Sequence, residues 1–119
     1  MKATFKAAVK NGKDLFGKKL GNKTSPEDLK ARADEVHGKL DETAQRFRTT
    51  AATRAVDKKG NETIIISSSE KRLSKQQREN LKKNEIEGTS TQKKEHAEVT
   101  GIRTAQEKNL TPTDTAASI

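Results

Sequence analysis

Cysteine is absent from the sequence, and histidine occurs only at His37 and His96 in a chain of 119 residues. The chain therefore forms no disulfide bond, and two histidines do not complete a closed structural zinc site of the usual Cys/His type. No apolar run approaches the roughly 18 residues that a membrane-spanning helix needs. The N-terminus lacks the continuous apolar segment of a secretory signal, because lysines and other polar residues interrupt it. We expect a single domain with no membrane span.

Large apolar side chains are also scarce. Leucine, isoleucine, valine and phenylalanine together account for 20 of the 119 residues. This share is below the level of about 20% under which a highly charged chain is suspected of disorder. The apolar residues nevertheless fall in patterned segments, as they do in part of a fold whose remaining core lies elsewhere. We therefore expect marginal stability for the isolated chain.

The net charge is +8, and its distribution is uneven. Seven lysines and one aspartate give residues 1–23 a charge of +6, which leaves +2 for the rest of the chain. We interpret residues 1–24 as a basic N-terminal arm or linker and residues 25–119 as the folded part. Our first interpretation of the arm is a linker or packing segment. The second is a segment that contacts nucleic acid through counterion release. The third is an amphipathic helix on an anionic membrane, because several apolar residues of the arm share one helical face.

The clearest helix signal begins at Ser25. Ser25 is a favourable N-cap, Pro26 suits the first helical position, and acidic residues follow in the first turn. Apolar residues then recur at helical spacing at Leu29, Ala33, Val36 and Leu40. The pattern predicts a helix over residues 26–40. His37 lies beside this stripe, where a histidine is more often a packing residue than a ligand, so we assign it no chemistry.

Alternating residues predict a β-hairpin after this helix. Residues 45–56 alternate with a period of two, and residues 62–67 contain three successive isoleucines, which are typical of a buried strand. The intervening residues 57–61 have the charge and glycine content of a turn. One face of the first strand would carry Arg46, Arg48 and Arg54. These arginines could contact nucleic acid, although a solvated strand face is the simpler interpretation.

The remaining segments predict two further helices and the beginning of a strand. Ser74 and Gln77 have the spacing of a capping box, which predicts a short helix that ends near residue 82. Residues 84–94 are polar and predict a surface loop. The pattern then predicts a helix over residues 96–108, and residues 115–119 have the composition of the start of a further strand.

The tripeptide His96-Ala97-Glu98 opens the last predicted helix and is half of the signature of zinc deaminases, in which a His ligates zinc and a Glu two residues later moves protons. Four other segments accompany it: Arg46-Phe47-Arg48-Thr49-Thr50-Ala51, Ser67-Ser68-Ser69-Glu70, Leu73-Ser74-Lys75-Gln76-Gln77-Arg78 and Leu110-Thr111-Pro112-Thr113-Asp114-Thr115-Ala116-Ala117-Ser118. Together they resemble the C-terminal toxin domains of bacterial polymorphic toxins with the cytidine-deaminase fold. The resemblance covers residues 26–119 and none of residues 1–23.

This resemblance implies an α/β fold and a catalytic site. The fold would be part of a three-layer cytidine-deaminase-like domain, in the order N-terminal helix, β-hairpin, short helix, His-x-Glu helix and start of a further strand. His96 would ligate zinc, and Glu98 would be the catalytic residue that moves protons while cytosine is converted to uracil. In the family, a Pro-Cys-x-x-Cys segment follows and supplies the two remaining zinc ligands.

The resemblance also implies a cofactor, partners and a location. The cofactor would be zinc, held once the missing cysteine ligands are supplied. The partners would be nucleic acid, with DNA favoured over RNA, a C-terminal complementing segment and an immunity protein. The domain would be a secreted bacterial effector that acts in the cytoplasm of the recipient cell, or a cytoplasmic protein. We expect the 119 residues alone to be inactive, and the alternative function is a non-catalytic basic fragment that binds nucleic acid or a protein partner.

Overall fold

The first helix, α1 (Pro26–His37), begins where the sequence predicts it. The computed structural model describes residues 24–92 and 95–118, so the arm expected at residues 1–24 lies outside it except for Thr24. The Ser25 hydroxyl accepts a hydrogen bond from the Asp28 backbone N–H at 3.1 Å, and the Asp28 carboxylate accepts one from the Ser25 N–H at 3.4 Å. This reciprocal capping satisfies N–H groups that the helix start would leave unpaired. The helix ends three residues earlier than predicted, and Gly38 forms its C-cap.

The segment after α1 corrects one prediction. Helix α2 (Glu42–Phe47) occupies the beginning of the predicted strand at residues 45–56, and strand β1 (Thr50–Val56) begins only at Thr50. Asp41 is the N-cap of α2, and its carboxylate accepts a hydrogen bond from the Ala44 N–H at 2.8 Å. The alternation of small and polar residues was therefore a weak strand signal, and the local cap decides the conformation.

Four strands form one mixed sheet in the order β3-β2-β1-β4. β1 pairs antiparallel with β2 (Glu62–Ser68) and, on its other edge, antiparallel with β4 (Thr111–Ser118). The predicted hairpin is confirmed, and Gly60 adopts a φ of 85° in its turn, a conformation that glycine tolerates best. β4 begins four residues before the predicted strand. Its outer edge has no strand partner among residues 24–92 and 95–118.

The predicted surface loop at residues 84–94 contains a strand that the sequence pattern did not reveal. This strand, β3 (Glu85–Glu87), pairs parallel with β2 at the edge of the sheet. The Arg32 side chain of α1 binds both carboxylate oxygens of Glu85, at 2.7 and 2.8 Å. A long-range ion pair therefore helps to fix a strand that is too short to produce a periodic signal.

Helices pack on both faces of the sheet. On one face, α1 and the sheet share an apolar cluster: Leu29, Ala33, Val36, Ala52, Ile64, Ile66 and Leu73. On the other face, helix α4 (Ala97–Glu107) packs through a smaller cluster of Ala55, Ile65 and Ala105. The short helix α3 (Lys75–Glu79) begins at the predicted capping box of Ser74 and Gln77. The protein is thus an α/β domain, as the sequence predicts, and its sheet is mixed and has four strands within the described residues.

No helix within residues 24–92 and 95–118 has both the length and the apolar character needed to cross a membrane.

Replacing Gly101 by alanine is expected to destabilise the domain. A Cβ atom at Gly101 would lie 2.3 Å from Thr53 Oγ1 and 3.1 Å from Thr53 Cβ, so either the Thr53 side chain or α4 itself would have to shift. Overpacking of this kind costs about 1–3 kcal/mol, which exceeds the gain of up to about 1 kcal/mol from the better helix propensity of alanine. Urea unfolding should therefore show a lower midpoint with an unchanged m-value.

A matched variant separates this contact from a general effect of the added methyl group. At Gly38, the nearest atoms to an added Cβ lie at 3.4 and 3.5 Å, which is ordinary van der Waals contact. Gly38→Ala should therefore leave the urea midpoint unchanged or raise it slightly, because the φ of −65° at Gly38 suits alanine. Equal midpoints for the two variants would contradict the proposed close approach of α4 to β1.

Candidate functional site

His96 and Glu98 lie at the N-terminal end of α4. His96 is the N-cap residue, its side chain is exposed, and it makes no side-chain capping hydrogen bond. Glu98 is in the first turn and is half-buried. The residue between them, Ala97, is fully buried. His96 and Glu98 thus flank a residue, Ala97, that is buried against the sheet.

The start of α4 is fastened to the sheet. The Ser67 hydroxyl donates a hydrogen bond to the Ala97 carbonyl oxygen at 2.6 Å, and Ser67 itself is fully buried. Glu95, which precedes the helix, accepts a hydrogen bond from the Thr100 hydroxyl at 2.6 Å and pairs with Arg103. The hydrogen bond from Thr100, the largest contribution, lowers the pKa of Glu95, and Arg103 lowers it further. The carboxylate of Glu95 is therefore held as an anion that braces the helix start.

This helix start lies at the end of the sheet where β2 and β4 terminate. Ser67 pairs with Ala51 near the beginning of β1, and Ala51 pairs in turn with Ala117 near the end of β4. α4 carries the chain away from this end of the sheet, and β4 brings it back. The end of β4 therefore returns to the same side of the molecule as His96 and Glu98.

The described residues do not supply a complete zinc site. A catalytic zinc usually takes three protein ligands, and His96 offers one. No group of three or more His, Cys, Asp or Glu side chains suited to a metal ion occurs within residues 24–92 and 95–118. The sequence contains no cysteine at all. His96 and its neighbours in this chain therefore do not fit zinc without donors from another segment.

The three arginines that the sequence placed on one strand face lie on different elements. Arg46 is exposed in the last turn of α2, and Arg48 is the half-buried C-cap of that helix. Arg54 is in β1 and is 8% exposed. Its guanidinium donates to Glu62 of β2 and to the Thr113 hydroxyl at 2.8 Å. The expectation of one basic strand face is therefore wrong, and Arg46 and Arg48 form a separate basic pair on α2.

Comparisons with known proteins give no match: no family model, curated protein or solved structure matches the chain.

The prediction that His37 is a packing residue is confirmed. The ring is 5% exposed, with Nε2 3.0 Å from the Gln45 carbonyl oxygen and Nδ1 3.0 Å from the Thr50 hydroxyl. Because a carbonyl only accepts, the hydrogen bond to Gln45 requires a proton on Nε2. Gln77 also donates to Thr50, at 3.0 Å, so a buried polar chain links α1, β1 and α3.

Sequence reasoning missed a groove beside α2. The groove has a volume of about 390 Å³. It is lined by Lys39, Leu40, Asp41, Ala44, Arg48, Ser74 and Gln76. These residues come from the linker between α1 and α2, from α2 with its C-cap, and from the start of α3. Lys39 and Leu40 lay within the longer helix predicted at residues 26–40. The sequence offers no pattern that would have revealed it, because its lining contains only one lysine and one arginine.

Proposed function

We propose that this chain is the N-terminal part of a zinc-dependent deaminase of the polymorphic-toxin type, which converts cytosine to uracil in nucleic acid. In this proposal, the chain supplies His96 and Glu98, and a Pro-Cys-x-x-Cys segment supplies the remaining zinc ligands. The observation that carries the proposal is the position of the His-x-Glu pair. It starts a helix that is fastened to the sheet through Ser67, at the end where β4 terminates.

The sheet supports this proposal by its connectivity. β4 returns to the start of α4, so a segment that continued from β4 would emerge beside His96 and Glu98. The outer edge of β4 is also open to a further strand within the described part of the chain. A second segment could therefore extend the sheet and bring thiolate ligands to the position of His96. The domain would act, in this proposal, as the toxin part of a secreted effector.

Glu98 is the better candidate for proton transfer of the two acidic residues near the helix start. Glu95 is engaged by Thr100 and Arg103, and its lowered pKa keeps it ionised. Glu98, by contrast, is half-buried in the first turn of α4. In nucleobase deaminases, the metal activates water and a glutamate that is not a ligand carries protons. Glu98 has the spacing from His96 that this role requires.

A complementation experiment tests the proposal. The full chain would be combined with the C-terminal part of a polymorphic-toxin deaminase, beginning at its Pro-Cys-x-x-Cys segment. We expect the complex to bind one zinc ion and to convert cytosine to uracil in DNA or RNA, as measured by zinc analysis and by cleavage at uracil. The matched control carries both cysteines of the added segment as serines and should lose zinc and activity together. A complex that folds and binds zinc but deaminates no base would contradict the proposal.

The alternative function is a non-catalytic fragment that binds nucleic acid or a protein. The charge of +6 in residues 1–23 favours binding to a polyanion through counterion release. This alternative predicts steep salt dependence of binding that Glu98→Ala leaves unchanged, together with no activity in the complementation experiment.

A further inference from the structure

Phe47 is exposed to an unusual degree. Its side chain is 80% accessible, and Val99 at 48% is the other large apolar side chain recorded as exposed in the described part of the chain. Single exposed apolar residues are common on protein surfaces and need a second observation before they indicate a function. Phe47 is the last residue of α2 and lies between Arg46 and Arg48 in the sequence.

The groove beside α2 provides this second observation. Ala44 and Arg48 line it, and Phe47 lies three residues after Ala44. Phe47 directly precedes Arg48 in the chain, but it is not itself one of the residues that line the groove. The groove also contains Lys39 and one acid, Asp41, whose carboxylate already caps α2. An exposed aromatic ring is therefore next in the chain to Arg48, one of the two cationic side chains that line the groove.

The groove lies at the same end of the sheet as His96 and Glu98. β1 begins three residues after Phe47, and its first residue, Thr50, pairs with Ser68 of β2 and Ser118 of β4. The Ser69 N–H also donates to the Thr49 carbonyl oxygen at 2.9 Å, which fixes the segment between α2 and β1.

We propose that Phe47 stacks on an unpaired base of single-stranded nucleic acid, while Arg48 and Lys39 contact an adjacent phosphate in the groove. The proposal relies on the proposed function for the choice of nucleic acid as the polyanion. Stacking on an aromatic side chain requires a base with a free face, and bases within a duplex have none. Single-strand binding proteins combine cationic grooves with aromatic stacking in this way. The occupant is therefore a single strand rather than a duplex.

A tryptophan reporter tests the contact directly. The sequence contains no tryptophan and no tyrosine, so Phe47→Trp in the full chain introduces one dominant fluorophore. An oligothymidylate of about 12 nucleotides falls within the site sizes of single-strand binding domains. We expect it to quench this fluorescence, and the matching duplex to quench it much less. Fluorescence that does not change on saturation with the single strand would overturn the proposal. So would a blue-shifted emission without nucleic acid, because it would show that protein already covers residue 47.

A second pair of variants separates stacking from charge. Phe47→Leu keeps an apolar side chain but removes the ring, and we expect about tenfold weaker binding of the single strand. Its salt dependence should equal that of the unaltered chain. Arg48→Gln should reduce the slope of log K against log salt by about 0.7, the value for one phosphate contact on a single strand. The control Lys59→Gln, in the hairpin turn at the opposite end of β1, should change neither quantity.

These binding measurements are independent of deamination. They use the chain without zinc and without a complementing segment. If Phe47→Leu binds the single strand as well as the unaltered chain does, the stacking proposal fails and the deaminase proposal is unaffected. If the complemented chain folds and binds zinc but deaminates no base, while Phe47→Leu still weakens binding, the deaminase proposal fails and the nucleic-acid contact remains.

Discussion

Replacing Glu98 by glutamine should reduce cytosine deamination by the reassembled protein at least about 100-fold, since general acid–base catalysis contributes on the order of 100- to 10,000-fold. Glutamine has nearly the same shape as glutamate but cannot take up or release a proton at neutral pH. Glu98 is half-buried in the first turn of α4, so the substitution alters the chemistry of the side chain more than its packing. The measurement is kcat on a single-stranded oligonucleotide with one cytosine.

Two further readouts make this prediction specific. Zinc content should stay unchanged in Glu98→Gln, because the proposal gives Glu98 no metal bond. Glu107→Gln provides the matched control, because Glu107 is an exposed carboxylate at the other end of the same helix. It should retain full activity. If Glu98→Gln keeps its activity, Glu98 does not carry the proton, and if it loses zinc, Glu98 is a ligand rather than a proton carrier.

Breaking the Arg32–Glu85 ion pair should cost about 3–5 kcal/mol of folding stability, the range for removing one partner of a buried pair. The two side chains are 9% and 4% exposed, and the guanidinium of Arg32 binds both oxygens of Glu85. It also donates to the Asn80 carbonyl oxygen at 2.6 Å. The hydrogen bond to Glu85 is the main reason that the pKa of Arg32 is raised. Arg32→Met would leave the Glu85 carboxylate buried without its cation.

The size of this effect can be judged against another ion pair of the same helix. Lys30 and Asp34 lie 2.6 Å apart, but both side chains are about half exposed. Exposed pairs of this kind contribute about 0.3–0.5 kcal/mol, so Lys30→Met should barely change the urea midpoint. Adding Glu85→Gln to Arg32→Met should recover part of the lost stability, because it removes the unpaired charge. Similar losses for Arg32→Met and Lys30→Met would contradict the role assigned to the buried pair.

Elements that depend on local signals could be predicted from the sequence. The cap at Ser25 and the apolar stripe of α1 lie within one short segment, and so do the hairpin turn and the triple isoleucine of β2. β3 could not be predicted, because it has three residues and is fixed by Arg32, which lies 53 positions away in the sequence. α2 was missed because alternation of small residues does not distinguish a strand from a short capped helix.

The same division applies to the candidate sites. His96 and Glu98 form a local motif, so their common position at the start of α4 follows from their spacing. Arg54 was placed on an open face because its partner Glu62 becomes its neighbour only when β1 and β2 pair. The groove beside α2 could not be predicted, because its lining joins residues near position 44 to Ser74 and Gln76, which lie far away in the sequence.

The open edge of β4 has a consequence for the behaviour of the chain in solution. Unpaired edge strands recruit other extended segments, including those of identical molecules, unless proline or charge prevents it. In β4, Pro112 and Asp114 protect the first half of the edge, whereas residues 115–118 are small and uncharged. Self-association should therefore start from the last four residues of the strand and increase with protein concentration. A segment that covers this edge would act as a solubility factor as well as a structural complement.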